Sequence, residues 1–185
     1  DHSDPMMAYT IMYHVGSSRE IPGKTGFAHL FEHLLFGGSE NVEPGRFDKV
    51  IESMGGSNNG FTSRDITTYY EMFPKNALEK ILWLESDRMG FFINSVTPRL
   101  LAIQQNVVQN EKRQSVDNAP YGFTEYLIYK NLYPADHPYN WDVIGEMEDL
   151  RNANIDDVKN YYERFYGPNN ATLVIAGDFN PDTVK

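Results

Sequence analysis

Hydrophobic and polar positions recur along the chain with two periods, and the places where the period changes mark the elements. Met6 to Val15 is aromatic, apolar and β-branched and is closed by Gly16-Ser17-Ser18, which predicts a strand. From Gly26 to Phe36 the apolar residues Phe27, Leu30, Phe31, Leu34 and Leu35 fall at helical spacing before Gly37-Gly38, so this segment reads as a short helix. A second helix, about Arg46 to Met54, stops at Gly55-Gly56. Two strands follow, about Asn58 to Ser63 and Thr67 to Phe73, joined by a connection short enough for a hairpin. Longer helices are predicted over Lys75 to Phe91 and Thr97 to Ser115, the latter with Pro98 in its first turn. Tyr121 to Leu132 reads as helix, His137 to Trp141 as loop, and Asn154 as the N-cap of a further helix. Ala171 to Ala176 reads as a strand ending at Gly177-Asp178. Strands and helices mix without regular βαβ alternation. That predicts an α+β fold, a two-layer sandwich with a mixed or antiparallel sheet and helices packed on one face.

Composition narrows the functional classes. A length of 185 residues suits one domain, and 41% hydrophobic with 14% aromatic residues can build a substantial core. The formal net charge of -10 argues against nucleic acid and anionic membranes as partners, since a polyanion is repelled by such a surface. With no cysteine there is no disulfide, no thiolate metal site and no thiol nucleophile, so any metal must be held by His, Asp or Glu. No apolar run approaches the roughly 18 residues of a membrane span. Asp1-His2-Ser3-Asp4-Pro5 contains no signal-peptide core, the chain lacks an initiator Met, and Pro181 to Lys185 reads as the first turn of a helix. The chain therefore reads as a fragment truncated at both ends.

The chemistry concentrates in His29-Leu30-Phe31-Glu32-His33. On a helix, His29 and His33 lie about 40° apart around the axis and roughly 6 Å along it, so both imidazoles can reach one metal ion. Glu32 lies about 60° to the other side of His29, bordering the same site without being needed as a ligand, which is the place for a general base. Zinc suits two neutral imidazoles, one carboxylate and a water. The order His-x-x-Glu-His is the inverted zinc-peptidase signature. The bland reading of the same residues is two histidines packed at a helix end beside a solvated glutamate.

A catalytic zinc requires a third ligand. His2, His14 and His137 are isolated. Glu111 shares a stripe with Leu100 and Val107, and a carboxylate in an apolar stripe requires a partner, which a metal would supply. Alternatively Glu111 marks where the helix emerges into water, since Lys112-Arg113 follow, and pattern alone leaves the two readings even. Glu85 shares a stripe with Leu78, Leu82 and Met89, but Arg88 at i+3 offers it an ordinary ion pair.

Through these motifs the chain resembles the catalytic amino-terminal half of the pitrilysin-type (M16) zinc peptidases. The likeness extends over nearly the whole length. Gly26 to Phe36 resembles the family's active-site helix, and Gly55-Gly56 with Asn59, Thr62, Asp65 and Tyr69 its next signature. Leu84-Glu85-Ser86-Asp87-Arg88-Met89, then His137-Pro138-Tyr139 with Ile144-Gly145, and finally Leu173 to Phe179 follow in the family's order. The resemblance implies one zinc ion per chain, held by His29, His33 and Glu111, the last within Asn110-Glu111-Lys112-Arg113. It implies Glu32 as the base, taking a proton from the attacking water and passing it to the leaving amine. Asn58, Asn59, Gly60, Phe61 and Thr62 match the family's substrate-binding edge, where an extended peptide or unfolded protein pairs by β-augmentation. Read without the family, Asn58-Asn59-Gly60 is a flexible loop.

Two departures stand out. Gln104 replaces an acid that many members carry two helical turns before the third ligand, and Gly60 replaces a common Ala. The family encloses its substrate between two related halves, from one chain or from paired subunits. The resemblance thus implies a second homologous half as partner, and an isolated fragment that binds zinc while hydrolysing peptides poorly. A non-catalytic scaffold or partner subunit of the same fold is the competing class, disfavoured because all four site residues are present.

Overall fold

Alternation of side chains along the strands sorts residues onto two faces, and only one face is covered. The computed structural model describes residues 3–184, so His2 and Lys185 lie outside the described residues. Strands β1 (Met6–Tyr13), β2 (Ser57–Thr62), β3 (Thr67–Pro74) and β4 (Ala171–Gly177) form one antiparallel sheet in the order β2-β3-β1-β4. Met7, Tyr9, Ile11 and Tyr13 of β1 stand opposite Phe73, Glu71, Tyr69 and Thr67 of β3, and all eight are buried. The helices pack on that face. Tyr70 and Met72 point the other way, Met72 being 52% exposed. The α+β two-layer architecture expected from the sequence is the one observed, with an antiparallel rather than a mixed sheet.

Helix α1 (Phe27–Leu35) lies over the sheet, followed by α2 (Phe47–Ser53), α3 (Leu78–Phe91), α4 (Pro98–Lys112), α5 (Thr124–Leu132), α6 (Met147–Asn152), α7 (Ile155–Phe165) and the short α8 (Pro181–Val184). Their starts follow local chemistry. Thr97 accepts the Leu100 amide at the head of α4, with Pro98 in the first turn, and Asn154 with Asp157 forms a capping box on α7. Several boundaries differ from the sequence reading, among them the start of α5, at Thr124 instead of Tyr121. Lys75–Ala77 is a 3-10 turn before α3, α4 passes into a π-helical turn over Arg113–Asp117, and α6 is an added element too short to carry a periodic signal.

A cluster of ionisable groups lies in the middle of the core. Arg88 of α3 is 4% exposed, pairs with Glu85 at 2.6 Å and Glu71 at 3.5 Å, and faces the rings of Phe36, Phe47 and Tyr69. Glu85 is therefore a structural partner of Arg88, as its i+3 spacing indicated. Burial pushes the Glu71 carboxyl up to about 9, with the neighbouring Glu85 charge adding to the effect and Arg88 opposing it. The folded state thus keeps a proton that the unfolded chain releases above the usual carboxylate range, so folding loses stability as pH rises through that interval, by up to about 1.4 kcal/mol per pH unit. Glu71→Gln, which mimics the protonated carboxyl, is expected to raise the melting temperature at pH 8 and to leave it nearly unchanged at pH 4. Equal shifts at both pH values in a calorimetric scan would contradict this account.

Candidate metal centre

Helix α1 buries Phe27, Ala28, Leu30, Phe31, Leu34 and Leu35, which leaves His29, Glu32 and His33 on its remaining side. That side faces α4 and the edge strand β2. From α4, Glu111 places Oε2 3.2 Å from His33 Nε2 and 3.7 Å from His29 Nε2. The imidazoles meet edge to face with centroids 4.8 Å apart. One ligand atom from each of His29, His33 and Glu111 lies within 4.8 Å of the others, the one such grouping among the described residues. Two ligands bound at 2.0–2.1 Å to a tetrahedral zinc lie roughly 3.3 Å apart. The two carboxylate–imidazole spacings lie close to that value, and two imidazoles with one carboxylate are a donor set zinc accepts. His29 Nδ1 is buried without a hydrogen-bond partner. Burial pushes the His29 imidazole down to about 4 against the pull of the Glu111 charge, so it is neutral near pH 7, the form a metal needs.

Glu32 stands beside this group. Its Oε2 accepts from Thr62 Oγ1 at 2.5 Å, and burial raises its pKa, with the Thr62 hydrogen bond and His33 opposing the shift. His29, Glu32 and Glu111 border one open cleft with Gly60, Phe61 and Thr62. Strand β2 is an edge of the sheet, so its outer backbone groups have no strand partner among the described residues. Along it Asn58, Gly60 and Thr62 turn inward while Asn59 and Phe61 are exposed. Asn58 Nδ2 donates to Asp48 of α2 rather than standing free, and Asn59 Oδ1 accepts the Gly60 amide. A Cβ on Gly60 would lie 3.2 Å from the Phe36 ring, the Thr68 carbonyl and the Tyr69 ring, so a larger residue there requires those neighbours to give by a few tenths of an ångström.

Other sequence expectations need revision. The inner stripe of α4 is Leu101, Val108 and Lys112, not Leu100, Val107 and Glu111; Val107 is 41% exposed. Glu111 is placed by its neighbours across the cleft, not by an apolar environment. Lys112, which suggested a helix emerging into water, is buried and donates to the Gly145 carbonyl. Gln104 is half-buried and makes no side-chain hydrogen bond among the described residues. His14 bonds Thr172 and His137 stacks on Tyr133, both away from the cleft.

Sequence reasoning also passed over Glu20. Gly26, the residue before α1, is in the left-handed region at φ 83° and offers no side-chain cap. The orphan amides of Gly26 and Ala28 instead donate to the two oxygens of Glu20, at 2.9 and 2.8 Å. A helix start lacking a capping residue, with a lone acid a few residues upstream, was the available signal.

Comparison with known proteins now places the chain. The insulinase (peptidase family M16) profile matches residues 1–135, and the M16 inactive-domain profile matches residues 152–185. The chain belongs to peptidase family M16. It is 37% identical over 174 residues to zinc protease PqqE of Helicobacter pylori, covering 94% of this chain and 38% of that protein. The crystal structure of a protease from Helicobacter pylori superposes with a TM-score of 0.93 at 34% identity, covering 97% of this chain and 42% of that one. The first half of the periplasmic protease PqqL from Escherichia coli shares the fold, with a TM-score of 0.87 at 22% identity, covering 99% of this chain and 40% of that one. The chain thus spans about two fifths of the length of each of these three relatives.

The Glu20 contact yields a direct expectation. Glu20→Ala removes both acceptors from the head of α1 and should cost about 2 kcal/mol, read as a lower urea midpoint at constant slope. An unchanged midpoint would show that the helix start finds other partners.

Proposed function

We propose that the chain is the metal-bearing part of a zinc peptidase, with His29, His33 and Glu111 as the ligands of one zinc ion and Glu32 as the general base. The observation that carries the reading is the convergence of three donors from two helices with a fourth acid beside them. All four residues lie inside residues 1–135, matched by the insulinase profile, and the inactive-domain match begins only at residue 152. That distribution favours an enzyme over the scaffold alternative.

When bound, zinc supplies Lewis-acid activation of a scissile carbonyl and of the attacking water. The protein's own residues account for the remainder. An extended peptide adds to the free edge of β2, where main-chain hydrogen bonds give affinity and the exposed Phe61 offers an apolar contact. Glu32, whose carboxyl is raised toward the working pH by burial, takes a proton from the attacking water and returns it to the departing amine. Thr62 holds one oxygen of Glu32, which limits its rotation and favours the ionised form. Substrates are extended peptides or unfolded segments, since only a chain with free backbone groups can pair with a strand edge. A second homologous half, in the same polypeptide or in a paired subunit, completes the enclosure. The isolated 185 residues accordingly bind zinc but turn over slowly.

Glu32→Gln is expected to reduce hydrolysis of a fluorogenic peptide by 1,10-phenanthroline-sensitive turnover in the intact polypeptide by at least about a hundredfold, the scale of general-base catalysis. Zinc content should stay near that of the parent. Loss of zinc together with activity would move Glu32 into the ligand set, and absence of chelator-sensitive turnover in the parent would favour the scaffold.

A further inference from the structure

We propose that Lys112 is a positioning residue for the metal site: its bond to the Gly145 carbonyl fixes the last turn of α4 so that Glu111 faces both imidazoles. The proposal rests on the ligand assignment above and adds the device that holds its third member in place.

The Glu111 side chain meets the two imidazoles and is otherwise open to the cleft. It is 44% exposed, and directly after Lys112 the helix leaves the α-helical pattern for the π-helical turn Arg113–Asp117. Beyond α4 the Asn118 amide donates to the Arg113 carbonyl and the Ser115 hydroxyl to the Glu111 carbonyl, ties that hold the main chain and leave the direction of the Glu111 carboxylate to its side-chain surroundings. Lys112 is the adjacent residue, about 100° further round the axis, so whatever fixes its direction fixes that of Glu111. It is 6% exposed, and its Nζ donates to the Gly145 carbonyl.

Gly145 is a fixed reference point. It adopts φ +79°, and a Cβ there would lie 2.4 Å from the Cα of Gly26, the residue that opens α1. The surrounding loop is bonded to the same spot: Glu146 donates its amide to Thr25 Oγ1, and Thr25 donates through both its amide and its hydroxyl to Asp149 Oδ2. The Lys112 bond thus sets the end of the helix bearing Glu111 against the beginning of the helix bearing His29 and His33. Further back on α4, Gln105 donates to the Leu150 and Ala153 carbonyls. Those contacts place the helix as a body, whereas Lys112 sets the rotation of its last turn. Burying an amine against one carbonyl is a costly way to fill apolar space, and a methionine would fill it more cheaply. A positional role explains the lysine.

The test is zinc affinity of the intact polypeptide, measured by competition with a chelator, together with the d–d absorption spectrum of the cobalt-substituted protein. Lys112→Met is expected to weaken zinc binding about tenfold or more and to alter the cobalt spectrum, as loss of a supporting contact does at metal sites. Gln105→Leu, which cuts a tie further from the last turn, should lower the melting temperature while leaving zinc affinity within about twofold. Parental affinity and spectrum in Lys112→Met overturn the role of Lys112 and leave the ligand assignment standing. A parent protein that binds no zinc overturns both. Should Lys112→Met fail to fold, hydrogen exchange in the unsubstituted protein decides the question. Zinc should slow exchange of the Gly145 and Glu146 amides, and exchange there unchanged by bound zinc overturns the proposal.

Discussion

Everything at the site depends on one helix that cannot begin by itself. Helix α1 opens at a glycine in the left-handed conformation, with no side chain of its own to accept its first amides. A buried carboxylate from outside the helix does this, and the contest at Glu20 is visible in its titration: burial pushes it up to about 8, while the amides of Ala28, Gly26 and Phe27 hold it down. The arrangement makes geometric sense. A serine or aspartate at the cap would occupy the space where Gly26 meets Ile144 and Gly145, whose atoms a Cβ would approach to within 3.0 Å. Close passage of the 144–146 loop requires the glycine, and the glycine requires Glu20.

The far end of α1 is held with equal care from α3. Asp87 accepts from Ser39 and from Asn41 in the segment after the helix, while Arg88, one residue on, lies beneath Phe36 and Tyr69. The Tyr69 hydroxyl in turn donates to the Phe31 carbonyl in the middle of α1. Polar groups in a core are costly unless paired, and a hydrophobic replacement would often be no less stable. Their placement here, at both ends of and under one helix, matches a requirement for position more than for stability. Two imidazoles that share an ion tolerate little rotation of the backbone bearing them.

Much of this was legible beforehand, and the failures have physical causes. Alternation along β1 and β3 is strong because one face is buried against helices, so strands and hairpin emerged from pattern alone. The face of α4 did not. Leu100, Leu101, Ile103, Val107 and Val108 spread over about 160° of that helix, a band too wide for periodicity to select the inner stripe, and Ile103 at 47% exposure belongs to neither the core nor the site. The apolar-stripe reading of Glu111 fails because α4 turns Leu101, Val108 and Lys112 inward, whereas the family likeness fits the observed geometry. Lys112 illustrates the general limit. A charged residue beside another charged residue reads as solvent-facing, and only the path of a loop from more than thirty residues later in the chain reveals the carbonyl it serves.

Glu32 links two parts of the cleft that sequence treats as separate. Because side chains alternate along β2, the inward Thr62 reaches the Glu32 carboxylate while its neighbour Phe61 remains at the surface. A peptide that pairs with the free edge of β2 does not compete for the Thr62 hydroxyl, since pairing uses backbone groups and leaves the inward side chain in place. Under the proposed reading, binding and base chemistry share a strand without sharing atoms. Occupancy of the edge would stiffen β2 and with it the partner that orients Glu32. The same bond also favours the ionised carboxylate against the larger effect of burial, so one hydroxyl bears on both the position and the proton affinity of Glu32.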